Sequence, residues 1–417
     1  MAGGRFGRVA WAWVALACLS AAVAASDPVS QEPSTRSSQT IDLMARPPQI
    51  AFAEPRFREA TSVSDVYDLL FPSAVVTEYA ENNQVPVHLY LPRERTEPVP
   101  VVILLHFWGA TDLKAEEALA RMLNERRVGA LVMELPYHLN RAPAGTRSGE
   151  LALAPDVELL KATARQAVWD VKRLIDWIDT RPDLDDAQIG IAGTSLGAVI
   201  SALVYSVEPR IKVSAFLLGG VDLAHILWNS SRVVSQREAL RKQGYTESVL
   251  REALADIEPQ SRIRGRTDGA ALVIGARFDS VMPPAAVEKL AEATPNAQVS
   301  WLETGHYGGI VIRDRLLGVV AAFLGETLYG RHYEAPPRIT APTFRIGVPV
   351  DPRDGVQVAI GVDLWRNTPQ GEAYASAMFT PRGPQLFVGR RLDRSLAIGV
   401  FVKPKSTTFG LFWSVVL

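Results

Sequence analysis

The chain has 417 residues, 47% hydrophobic and 21% charged, enough to bury one large core and leave material for a second small unit. Lys and Arg (44) nearly balance Asp and Glu (45), and the net charge of −1 excludes the strongly basic footprint of a nucleic-acid binder. The one cysteine, Cys18, excludes a disulfide framework.

Arg5 and Arg8 precede an uncharged apolar run, Val9 to Ala22, and Val23-Ala24-Ala25 before Ser26 supplies the small residues a signal peptidase needs. This predicts a removed signal over 1–25 and a secreted or periplasmic protein with no cysteine left. The apolar run is shorter than the ~20 residues that span a bilayer. Lipid attachment at Cys18 is the alternative, disfavoured because Ala15-Leu16-Ala17 is a poor approach to a lipidated cysteine. Residues 26–60, rich in Ser, Pro, Gln and Arg, read as a linker or extended arm on the surface.

Order begins after residue 60. Two β-rich runs, Ala74 to Ala80 and Val85 to Leu91, are separated by Glu81-Asn82-Asn83-Gln84 and predict an antiparallel hairpin. Val101 to His106 is continuously apolar, as a strand covered on both faces should be. A charged helix follows from about Asp112 to Arg127, then a strand over Gly129 to Leu135. Leu160, Ala164, Ala167, Val171, Leu174 and Ile178 repeat at three and four residues, so 157–180 is a long amphipathic helix that stops at Arg181-Pro182.

The next strand ends in Gly193-Thr194-Ser195-Leu196-Gly197 and is followed by the helical run Ala198 to Val207. A buried strand that stops in a sharp turn, with small residues at 193 and 197, leaves Ser195 at the apex as a nucleophile elbow. Further strands are expected at Val213 to Leu218, Leu272 to Gly275 and Val299 to Leu302.

On these runs the chain resembles an α/β-hydrolase over about residues 70–330. The order of helix, Arg181-Pro182-Asp183 loop and Gly-x-Ser-x-Gly is similar to the esterase and prolyl-oligopeptidase-like branches. The resemblance implies Asp279, ahead of Pro283-Pro284, as the acid, and His306, in Gly305-His306-Tyr307-Gly308, as the base. It also implies an oxyanion hole made by the Leu196 N–H and one from the loop after His106. There the usual His-Gly-aromatic-Gly has Phe107 in place of the first glycine; by position Trp108 supplies the second donor, with Phe107 as the alternative. His106 is expected to shape that loop.

The chemistry needs these types together. A serine hydroxyl is a poor nucleophile until a base removes its proton as it attacks a carbonyl, and the acid holds that base in the useful tautomer. Asp279 has a second reading as a helix cap, which would leave Asp222 as the substitute acid. His88, His138, His225 and His332 are read as non-catalytic.

Residues 222–269 are too long for a simple connection and pattern as several short helices, hence a cap over the site. Ile226, Leu227, Trp228, Val249 and Leu250 suit either an acyl pocket or packing within the cap. Beyond residue 335 come short alternating runs separated by Pro, Gly and Asp turns, predicting an all-β module of about five or six strands. A packed accessory unit is the preferred reading, while alternation with aromatic residues near strand ends also fits strands that oligomerise or meet a membrane.

The expected architecture is α/β: a mostly parallel doubly wound sheet over 61–334 with a helical cap insertion, then a small C-terminal all-β module over 335–417. The expected activity is cleavage of carboxylic esters, including lipid-like ones, through an acyl-enzyme on Ser195. Peptidase or acyltransferase chemistry would use the same residues, and a binding protein on an inactive hydrolase scaffold is the reading from another class. No metal spacing or phosphate-cradling motif stands out, so no cofactor, metal or nucleic-acid partner is expected.

Overall fold

The computed structural model describes residues 42–366, 373–393 and 395–416. The expected export signal over 1–25, with Cys18, lies outside them. Ten strands make the first sheet: β1 (Arg56–Ala60), β2 (Ser64–Pro72), β3 (Gln84–Pro92), β4 (Val99–Leu105), β5 (Gly129–Met133), β6 (Leu184–Thr194), β7 (Ile211–Leu217), β8 (Ala270–Ala276), β9 (Ala297–Leu302) and β10 (Arg338–Ile339). Their order is β1-β2-β3-β5-β4-β6-β7-β8-β9-β10. Pairing is antiparallel from β1 to β5 and parallel from β5 to β10.

The α-helices among the described residues are α1 (Lys114–Asn124), α2 (Val157–Ile178), α3 (Leu196–Val207), α4 (Leu223–Asn229), α5 (Val234–Lys242), α6 (Glu247–Ala253), α7 (Gln260–Arg264), α8 (Pro284–Ala293) and α9 (Arg313–Leu328). One face of the sheet is covered by α2, α3 and α8, the other by α1 and α9. β4 shows why its residues form one unbroken apolar run: Val101, Ile103 and Leu105 enter the first core, Val102 and Leu104 the second. The doubly wound core is as expected, and α4 to α7 fill the insertion between β7 and β8.

The first strands differ from expectation. Val85 to Leu91 lies within β3, but its hairpin partner is β2, with Tyr67 opposite Leu89; Ala74 to Ala80 is loop. That loop is drawn out of the sheet by side chains of α2: Asp170 accepts from Ser73 Oγ and the Ala74 N–H, both at 2.8 Å, and Asn82 donates to Gln166 at 3.0 Å. Of the arm expected over 26–60, the described residues 42–55 hold no helix or strand: a turn at 43–45 is followed by irregular chain, and Lys172 donates to the Leu43 carbonyl at 2.6 Å. The arm ends in the edge strand β1. The strand that leads to the elbow starts directly after the Arg181-Pro182-Asp183 loop, because β6 begins at Leu184.

The second sheet comprises β11 (Phe344–Asp351), β12 (Gly355–Val356), β13 (Ala359–Arg366), β14 (Ala373–Thr380), β15 (Gly383–Arg391), β16 (Leu396–Lys403) and β17 (Ser406–Val416). β11 pairs with both β13 and β17, so six strands close into an antiparallel barrel to which β12 is an appendage. Strand number was legible; closure was not. Phe387 centres the interior, its ring 5.4, 4.9 and 5.2 Å from those of Tyr374, Phe401 and Phe412.

Candidate active site

The turn between β6 and α3 depends on its two glycines. A Cβ at Gly193 would lie 2.3 Å from the backbone of Gly197, and one at Gly197 would lie 2.2 Å from the Leu105 carbonyl oxygen. Ser195 sits between them at φ 54°, ψ −113°, a conformation that costs a non-glycine residue roughly 1–3 kcal/mol and persists only where the surroundings impose it. Its own N–H donates to the Leu217 carbonyl at 2.8 Å, which locks the turn onto β7.

His306 and Asp279 reach this serine from loops after β9 and β8. His306 Nε2 is 3.2 Å from Ser195 Oγ, and His306 Nδ1 is 2.7 Å from Asp279 Oδ2. Asp279 Oδ1 meanwhile accepts from the N–H groups of Val281 and Met282 at 2.8 and 2.7 Å. The carboxylate thus holds its own turn with one oxygen and orients the imidazole with the other; it does not cap the following helix, whose N-cap is Pro283 with no side-chain cap bond. Proton transfer from Ser195 to His306 needs no rearrangement of backbone.

Asp222, the substitute acid, is elsewhere: it caps α4 and is ion-paired with Arg251 and Lys289. His225 packs against Glu247 and Asn229, His88 against Asp68, and His332 is exposed in the connection after α9.

Leu196 opens α3, so its N–H is a first-turn donor with no acceptor inside the helix. In the loop after β4 the positive φ falls at Gly109 (72°), and Phe107 is not among the positive-φ residues. A side chain at 107 is therefore accommodated without glycine's freedom. Trp108 is pinned by its indole N–H, which donates to the Gly149 carbonyl at 2.7 Å. His106 is wholly buried, bonded to the Leu135 N–H through Nε2 at 3.0 Å and to the Phe107 carbonyl through Nδ1 at 2.9 Å. Burial, reinforced by neighbouring His138, pushes its pKa down to about 3, so it shapes the loop as a neutral ring.

Ser195 and Leu196 form part of the wall of an apolar cavity of about 140 Å³ beneath the cap. Leu160 and Val199 line it from below, Ile226, Leu227 and Leu254 from the cap, and Met282 from the loop carrying Asp279. Of the cap residues left undecided by sequence, Ile226 and Leu227 face the cavity, Leu250 is buried within the cap, and Val249 is exposed. Trp228 stacks instead under Arg241, 4.8 Å from ring centre to guanidinium carbon. Sequence reading missed Arg232, whose guanidinium lies 5.2 Å from the Trp108 ring at the cavity lining. It also missed His138 as a wall residue; burial holds that ring neutral, its pKa pushed down to about 4. Neither carries a sequence signal beyond lying in a loop or cap.

The family described as "Alpha/beta hydrolase domain containing 18" matches residues 60–265. Among curated proteins, the chain is 30% identical over 138 residues to uncharacterized protein Rv2627c of Mycobacterium tuberculosis, covering 31% of this chain and 32% of that protein. It is 29% identical over 185 residues to Hydrolyase poxO of Penicillium oxalicum, covering 42% and 39%. The chain thus spans roughly a third of the length of the curated relatives it matches. Among solved structures, acetyl xylan esterase 1 from Thermoanaerobacterium sp. aligns with TM-score 0.51 at 16% identity, covering 66% of this chain and 87% of that one. Acetyl xylan esterase from Paenibacillus sp. aligns with TM-score 0.51 at 16% identity, covering 65% and 88%.

Proposed function

Because the chain belongs to the α/β-hydrolase superfamily, we propose that it is a serine hydrolase that cleaves carboxylic esters through an acyl-enzyme. The observation that carries the reading is the continuous contact from Asp279 through His306 to Ser195, at 2.7 and 3.2 Å, on the wall of an apolar cavity. Ser195 Oγ attacks the ester carbonyl carbon while His306 Nε2 takes the hydroxyl proton. Asp279 stabilises the imidazolium that forms. The negative charge on the former carbonyl oxygen is met by the N–H groups of Leu196 and Trp108, worth on the order of 3 kcal/mol for each donor. As the tetrahedral species collapses, His306 returns the proton to the departing alkoxide, and the acyl group stays on Ser195. Water then repeats the sequence with His306 as base and frees the carboxylic acid.

The cavity supplies the acyl site. Its volume is close to the roughly 150 Å³ of a leucine-lined cavity that holds one benzene ring, so the acyl chain it takes is short to medium, or a single aromatic ring. A fluorophosphonate probe tests the mechanism: the wild type is labelled and Ser195→Ala is not. Failure of the folded wild type to label would return the chain to the binding-protein reading.

A further inference from the structure

The barrel of β11 and β13 to β17 is apolar on the outer face that water should meet as well as in its aromatic core. Paired ionisable side chains also point inward, mostly near the strand ends: Arg345 is bonded to Asp363 at 2.7 and 3.1 Å and to Ser414 at 3.2 Å, all with buried side chains. Asp351 is likewise buried and takes a bond from Lys403 at 2.7 Å. Every strand exposes an apolar residue at an outward position: Val350 on β11, Leu364 on β13, Phe379 on β14, Val388 on β15, Val402 on β16 and Leu411 on β17. Phe379 and Trp413 keep 64% and 50% of their surface. A soluble sheet alternates apolar-in with polar-out; here the alternation of inward and outward side chains persists while the outer half is mostly apolar, with Arg390 and Thr407 near the strand ends as exceptions.

Because each of the six strands contributes, the apolar surface runs round the barrel as a belt. A protein partner would cover one side of such a belt, whereas a liquid covers all of it. The rims fit the same occupant. At one end the chain enters from the hydrolase domain, where Thr343 Oγ1 donates to the Glu303 carbonyl at 2.6 Å and Thr304 Oγ1 to the Pro342 carbonyl at 3.1 Å. The exposed Trp365 and Trp413 lie toward that end, as aromatic residues do where hydrocarbon meets water. At the other end the turns carry Arg353, Asp354, Arg382 and Lys405.

We propose that this outer face is lipid-facing: the barrel of residues 344–416 sits in the hydrocarbon of a bilayer and anchors the hydrolase domain at its surface. The strands run from 8 to 11 residues, against the roughly 9–11 that cross a membrane with tilt. Six strands are fewer than the eight or so of the smallest single-chain membrane barrels, and the interior is filled by aromatic rings and paired charges. The module is therefore an anchor and not a channel. This inference does not depend on what Ser195 does.

The test uses the full chain, reconstituted from detergent into vesicles of phosphatidylethanolamine and phosphatidylglycerol, floated in a density gradient and washed with high salt and alkaline carbonate. Retention through both washes is expected, together with quenching of tryptophan fluorescence when brominated-chain lipid is included and loss of part of that quenching in Trp413→Phe. Release into the soluble fraction, or a detergent-free oligomer whose tryptophans brominated lipid does not reach, overturns the proposal. Leu411→Glu, which puts a charge in the belt, is expected to lose retention, while Thr407→Glu at the rim keeps it. Retention of a folded Leu411→Glu chain counts against lipid contact, and if that variant misfolds the wild-type flotation and quenching still decide.

Discussion

Arg141 donates to Asp170 Oδ2 at 2.8 Å, and neither side chain retains any exposure. The pair joins the loop after β5 to the middle of α2. Arg141 also donates to the carbonyls of Glu134 at 3.0 Å and Asn82 at 2.9 Å, while the other oxygen of Asp170 holds Ser73 and Ala74. One carboxylate thereby fixes two loops, and the one after β5 carries Pro136 and His138 to the cavity wall.

Asp170→Ala should therefore be among the most damaging single changes far from the reacting atoms. It leaves a guanidinium buried without its charge partner, a situation that typically costs about 3–5 kcal/mol. Urea unfolding of the variant against wild type measures this. The double variant Arg141→Met, Asp170→Leu should lose less than the sum of the two single changes, since it buries no orphan charge.

Asp279→Asn should keep the fold and lose the rate. The amide can still accept from Val281 and Met282 through one oxygen, but its other group is an NH2 facing His306 Nδ1, which favours the tautomer with Nε2 protonated and unable to take the serine proton. A fall in kcat on the order of 10³–10⁴-fold with little change in KM is expected. Steady-state hydrolysis of a p-nitrophenyl ester, beside an unchanged thermal unfolding curve, checks it.

The elbow, Asp279 and His306 were legible because each is set at the end of an apolar strand, in a chain order that sterics and chemistry both restrict. What stayed hidden has physical causes. β1 is exposed at all five positions, so it lacks the alternation that marks a half-buried strand. Ala74 to Ala80 carries β-rich residues, yet Asp170, about 100 positions downstream, bonds that loop's start away from the sheet. Asp170 carried no sign of its own in the sequence, since α2 also holds Glu158 and Asp176, and nothing in the apolar repeat names its partner. The barrel's strands were legible from their alternation; which side of each strand would face in was not, because alternation has the same period either way.

Stability should fall between mild acid and neutral pH through Glu116. Its carboxyl is buried in α1 beside Leu104, Leu105 and Gly193, and burial pushes its pKa up to about 7 from the 4.5 of an exposed glutamate. The folded protein thus holds a proton that the unfolded chain releases above 4.5. Stability is highest below that value, declines as pH rises toward 7, and is flat beyond, a loss on the order of 3 kcal/mol. Glu116→Gln should remove this slope and be the more stable protein at pH 8. Urea midpoints of both proteins at pH 5 and pH 8 decide it.

The cavity makes a prediction about substrates that is separable from the triad. Its space beside Ser195 is about 140 Å³, so an acyl group of about six carbons fills it, in keeping with its near equality to the ~150 Å³ benzene cavity. Acetyl esters leave much of it empty, whereas palmitoyl esters overrun it. Across p-nitrophenyl esters, kcat/KM should rise from the acetyl ester to a maximum near the hexanoyl ester and then fall. Each methylene gained in the rising part is worth up to about 0.8 kcal/mol. Leu227→Trp, which reduces the space from the cap side, should move the maximum to shorter chains without slowing acetyl ester hydrolysis, and Leu254→Ala should move it to longer ones. A profile that is flat in chain length, or that both substitutions leave in place, would mean that the acyl group binds outside this cavity.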